Sequence, residues 1–196
     1  MRPHSNKATT LLELIIAVIL LGILVVGLSS IETFSRRHLR TTDQRTRLQN
    51  DLSYLLEHMA RNINHAIGLS SETVVLDPSP CSGGDCRITV FIDNLSATDP
   101  DLLGMRDSAD YNISYSFNSS SHTVYYYKNY VDEFSSKEVV ASNIETFMPS
   151  YSDTNNYIEV NASACWDPSL GTCGEEIRNP QVDMNNRIEM PAVSIN

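Results

Sequence analysis

The spacing of hydrophobic and polar positions changes abruptly along the chain. From Leu11 to Leu28 nearly every residue is apolar, with Gly22 and Gly27 inside the run and Glu13 near its start. A run of that length is about enough to cross a bilayer as a helix. Farther on, Leu48, Leu52, Leu55, Leu56, Met59, Ile63, Ala66 and Ile67 recur at helical spacing and draw one apolar stripe. No proline occurs between Thr9 and Asp77, so both stretches read as one helix that stops at Gly68, a residue suited to the left-handed C-cap. Thr9 to Ile67 would then be roughly 90 Å long at 1.5 Å per residue. Between the two stretches, residues 36–47 lack an apolar face. They read either as a solvated helical segment or as arginines that dock on acidic faces of neighbouring subunits. His58 and His65 share a helix face. They stand too far apart for a two-ligand metal clip and read as surface or boundary histidines.

Beyond Gly68 the period shortens to that of strands. Thr73 to Leu76 ends at the Asp77-Pro78 turn, and Arg87 to Ile92 alternates. Tyr111 to Phe117 alternates strictly, Asn118 to Ser121 supplies a turn, and His122 to Lys128 returns. This is the clearest hairpin signal, with Ile113, Tyr115 and Phe117 set against Val124 and Tyr126. The tyrosine run 125–127 reads as core and surface positions of that strand. Glu138 to Phe147 leads into Met148 to Asp153, and Tyr157 to Val160 and Arg187 to Ile195 are further strands. Pro191 places the last at an edge or a bulge.

Composition bounds the function. At 196 residues the chain fits one domain plus an anchor. Its net charge of -10 is uneven: residues 1–68 hold 8 Lys/Arg and 5 Asp/Glu, and residues 69–196 hold 6 and 19. An acidic domain argues against nucleic acid, which is held by Lys and Arg on phosphates, and against adhesion to anionic lipid. Cys81 and Cys86 enclose a Gly-Gly pair, and Cys165 and Cys173 enclose a second short loop. Four cysteines allow three pairings. Local pairing, Cys81 with Cys86 and Cys165 with Cys173, needs least rearrangement, and neither spacing is that of a zinc knuckle. Asp93, Asp99, Asp101, Asp107 and Asp110 read as a solvated acidic loop. Bound calcium is the competing reading, although the spacing is not that of an EF-hand. No nucleophile elbow, His-Glu-x-x-His or phosphate-cradling loop occurs, and His122 is the only histidine after Gly68. The chain reads as a non-enzyme with no catalytic residue, no metal ligands and no cofactor.

The amino terminus sharpens this. Met1 to Ala8 carries Arg2 and Lys7, no acid, and the small residue Ala8 just before the apolar run. In a secretory signal the small-residue cleavage site follows the apolar region, which is discarded; here it precedes it. An acid within a membrane helix costs about 2.5–3.5 kcal/mol at the centre and less near an end. Glu13 therefore either sits at headgroup level or has a partner. The stretch Ala8-Thr9-Thr10-Leu11-Leu12-Glu13-Leu14 resembles the class III signal of type IV pilins and type II secretion pseudopilins. Ala8 stands where that family more often has Gly, and Thr9 where it usually has Phe or Met. Residues 48–68 and 138–153 more loosely resemble the helix end and a later segment of W-type minor pilins and J-type pseudopilins.

The resemblance implies cleavage between Ala8 and Thr9, N-methylation of Thr9, and assembly through Glu13, whose carboxylate would meet the Thr9 amine of a neighbouring subunit. It implies an α+β, pilin-like fold: a long N-terminal helix, transmembrane in one half and amphipathic in the other, packed on an antiparallel β-sheet. The expected divisions are a leader peptide at 1–8, a transmembrane and filament-core helix at 9–30, its amphipathic continuation at 31–68, and a β-rich extracytoplasmic domain at 69–196. The implied role is a minor pilin or pseudopilin of a priming or tip complex. Its partners would be other pilins or pseudopilins, prepilin peptidase, the inner-membrane assembly platform and the membrane. Arg36, Arg37 and Arg40 outnumber the two basic side chains of the leader, so a positive-inside count would leave the carboxyl side in the cytoplasm. The leader motif and the cysteines point the other way, to a periplasmic domain on a single bacterial inner-membrane span. The alternative from another class is a signal-anchored extracytoplasmic module that binds a ligand or cation.

Overall fold

A computed structural model describes residues 11–66, 74–78, 81, 84–92, 111–129, 136–152, 156–175 and 178–190. Helix α1 runs Leu11–Ile63, 53 residues without a proline. The chain divides into two compact units at Thr42/Asp43. In the first unit every described helical residue up to Arg40 is exposed. In the second, α1 buries Gln44, Leu48, Leu52, Leu55, Leu56, Met59 and Ile63. That is the stripe expected from the helical period, reached one turn earlier at Gln44.

The strands follow in two antiparallel sheets. The first has the order β1-β2-β3-β4-β5, with β1 Val74–Asp77, β2 Cys86–Ile92, β3 Tyr111–Asn118, β4 Thr123–Lys128 and β5 Lys137–Ser142. The second has the order β6-β7-β8, with β6 Ile144–Ser152, β7 Tyr157–Cys165 and β8 Gln181–Glu189. Within each sheet every strand pairs with its neighbour in sequence. Strand β2 alternates buried and half-buried along its whole length, the signature of a strand with one face in the core. The hairpin register sets Tyr115 opposite Tyr126 and Phe117 opposite Val124, as the alternation predicts. These inner faces and the α1 stripe form one core. Phe117 of the first sheet meets Phe147 of the second at 6.4 Å between ring centroids.

Three features depart from the sequence expectation. First, the helix ends at Ile63 rather than at Gly68, which lies outside the described residues. Ala66 instead forms an antiparallel bridge with Ile92, so pairing with the sheet draws the chain out of the helix. Second, the strands form two antiparallel sheets rather than the one expected, and the chain crosses between them within residues 138–153. Asn143 adopts φ 61 between β5 and β6, a left-handed turn that Asn tolerates, and the chain passes to a second sheet. Third, the last described strand starts at Gln181 and ends at Glu189. Pro191, expected within it, lies outside the described residues. Pro149 sits on β6, an edge strand of its sheet, where a missing N–H costs no ladder bond.

Candidate functional site: the apolar helix segment

The start of α1 is the most unusual surface of the molecule. Leu11, Leu12, Leu14, Ile15 and Ile16 are 45–78% exposed, and the apolar side chains continue in the same state to Leu28. Soluble surfaces rarely leave so large an apolar area open. Among the described residues this is the helix long and apolar enough to span a bilayer. Glu13 lies in its first turn, where the partial positive charge of a helix N-terminus favours an anion. At the other end Ser29, Ser30 and Thr33 each donate a side-chain hydroxyl bond of 2.9 Å to the carbonyl of the preceding turn. Hydroxyls satisfied inside the helix cost less to take out of water. Next come Glu32 and Arg36, an exposed i,i+4 ion pair, then Arg37 and Arg40, both exposed. By length and composition the apolar segment could span a membrane, and charged side chains begin again at Glu32.

Ala8 and Thr9, the expected leader junction and methylation site, lie outside the described residues. So do Asp93, Asp99, Asp101, Asp107 and Asp110, the expected alternative calcium loop. Among the described residues no group of His, Cys, Asp and Glu is gathered to hold a metal ion.

The cysteines form two disulfides, Cys81 with Cys86 and Cys165 with Cys173. Asp167 caps the short 3-10 turn Pro168–Leu170 inside the second loop, accepting from the Ser169 amide. Gly171 closes that turn at φ 61. Asn179 ties the loop to the start of β8, with its Oδ1 2.7 Å from the Asp167 amide. Loop closures this short contribute about 2–3 kcal/mol each in the chain-entropy account.

A polar cluster inside the helix–sheet contact was not legible as a unit. The Tyr115 side chain is fully buried. Its hydroxyl lies 2.9 Å from Nδ1 of His58 and donates to the His58 carbonyl at 3.2 Å. Asn62 donates to the same hydroxyl at 3.2 Å. The Tyr126 ring stands edge-on to His58, 5.0 Å between centroids. Burial pushes the Tyr115 phenol well above its ordinary range. Burial also lowers the His58 imidazole, against a smaller upward pull from Glu138 and with a smaller downward push from Arg61. His65, by contrast, is exposed past the helix end. The alternation placed Tyr115 and Tyr126 on one face, but the helix residue opposite them depended on how α1 docks.

A pH dependence follows. With the folded-state affinity of His58 for a proton depressed, the unfolded chain binds that proton more readily. The contribution is complete above about pH 6.5 and is lost as pH falls through the lower folded value. Urea midpoints of the full chain in detergent micelles are expected to fall between pH 7.5 and 5.5. His58→Gln should flatten that fall, and an unchanged slope in the variant would assign it to other groups.

Comparison with protein-family models, with curated proteins and with solved structures finds no match to this chain.

Proposed function

We propose that this chain is a pilin-like subunit, a minor pilin or a pseudopilin, that enters a type IV pilus or a type II secretion pseudopilus through its N-terminal helix. The observation that carries the reading is the construction of α1. One continuous helix joins an exposed, membrane-length apolar segment holding a single acid in its first turn to an amphipathic part that the sheets cover. An anchor that only tethers a domain has no use for that acid. A helix that leaves lipid to enter a bundle of like helices does, because a carboxylate in a low dielectric fixes register by meeting one countercharge. The countercharge in this reading is the freed amine of Thr9 on a neighbouring subunit. The two disulfides suit an oxidising compartment, which supports a β-domain outside the cytoplasmic membrane. Such a subunit is processed by a prepilin peptidase and handled by an inner-membrane platform; its own chemistry is assembly.

Intact-mass measurement of the membrane-purified chain tests this. Loss of residues 1–8, with a methyl group on Thr9, is the expected result. A full-length mass would overturn the subunit reading in favour of a signal-anchored extracytoplasmic binding module.

A further inference from the structure

The outer face of the three-stranded sheet is an acidic surface. Strand register brings Glu159 of β7 and Asp183 and Glu189 of β8 onto it, with Arg187 as its only cation among the described residues. Arg187 is already engaged: it lies 3.8 Å from the Tyr157 ring and 3.5 Å from Glu189. Asn185 holds Glu159 at 2.8 Å, and Gln181 holds Asp183 at 2.8 Å. A surface fixed in this way loses little conformational freedom when a partner arrives. Its charge is not local chance. Residues 138–196 hold 9 Asp/Glu against Arg178 and Arg187, and no lysine.

The complementary surface lies on α1. At about 100° per residue, Arg36, Arg37 and Arg40 share one side of the helix. All three are exposed. Arg36 is paired with Glu32, while Arg37 and Arg40 enter no ion pair among the described residues. We infer that Arg37 and Arg40 of one copy dock on the Glu159, Asp183 and Glu189 face of a second copy. The inference rests on the subunit reading above. The two patches differ, so the contact is head-to-tail, the kind that propagates into a helical filament rather than closing as a symmetric dimer. Anionic lipid headgroups also attract arginines that follow an apolar span. They leave the acidic sheet face without a role, whereas a second copy neutralises both surfaces.

The test uses the full chain in detergent micelles, in two differently tagged copies, read by co-capture at low and high ionic strength. Arg37→Glu with Arg40→Glu is expected to weaken co-capture about tenfold, and Asp183→Lys with Glu189→Lys to do the same. Mixing the two reversed copies should restore it, and added salt should weaken the wild-type contact. Unchanged urea midpoints certify that the variants fold. Unaltered co-capture of either variant, or no recovery on mixing, overturns the contact. So does a loss of phosphatidylglycerol-vesicle binding by the arginine variant while its co-capture stays intact. The masses of the same samples keep the two ideas apart: a retained leader sinks the subunit reading, whereas a processed chain with no charge rescue sinks only this interface.

Discussion

Glu13→Ala is expected to leave the chain folded, processed and held in the membrane, yet absent from assembled filaments. The cause is the local dielectric. In the separate subunit Glu13 occupies the first turn of α1 among side chains that are all exposed, and near a membrane surface an acid costs less than at the centre. Inside a bundle of apolar helices the same carboxylate and the amine it meets are far from water. Removing one partner leaves the other buried and uncompensated, a penalty of about 3–5 kcal/mol. At 1.4 kcal/mol per factor of ten, incorporation should fall by roughly two to three and a half orders of magnitude. Glu13→Gln should fail in the same way, since it keeps the shape and loses the charge. Glu13→Asp should keep part of the function, because it keeps the charge at shorter reach. The readout is the ratio of sheared-filament to membrane-fraction protein, with intact mass confirming that leader removal is unaffected. Normal incorporation of Glu13→Ala would falsify the pairing.

The second large effect concerns the join between the two sheets. Phe147 is 1% exposed, and its ring faces Phe117 of the other sheet. Phe147→Ala removes most of a ring from a contact made by both sheets and leaves a cavity that neither can close alone. Substitutions of this kind cost about 3–5 kcal/mol, a large share of the roughly 5–15 kcal/mol that holds a domain folded. Val139, on edge strand β5, is 57% exposed, and Val139→Ala should stay within about 0.5 kcal/mol. Urea unfolding of the full chain in micelles distinguishes them. Equal midpoints would show that the Phe117–Phe147 contact does not join the sheets.

The parts legible beforehand share a property: each depends on residues near one another in the chain. The stripe through Leu48, Leu52, Leu55, Leu56, Met59 and Ile63 is a period, and a helix of that period has to bury it. The β3–β4 hairpin is two alternating runs around a polar turn, and its register follows from the turn. Glu13 stands out because an acid in an apolar run is costly whatever surrounds the rest of the chain.

The other features depend on partners distant in sequence. Helix α1 ends at Ile63 because Ala66 pairs with Ile92, although Gly68 was the stronger local signal. The strand region breaks at Asn143, where a left-handed backbone passes the chain from one sheet to the other, and both sheets contribute to the one core. His58 looked like a boundary residue, and its bond to Tyr115, 57 positions away, exists only once α1 is docked. The acidic face of β7 and β8 is assembled the same way, from carboxylates that are separate in the chain and adjacent only through register. A membrane-length helix with an acid near its start, an amphipathic continuation and a set of antiparallel strands were readable from the chain, because local periodicity and the cost of desolvating charge act without tertiary context. Where the helix stops, how the strands divide between sheets and which polar groups meet rest instead on long-range pairings, whose free energy appears when distant segments come together in the fold.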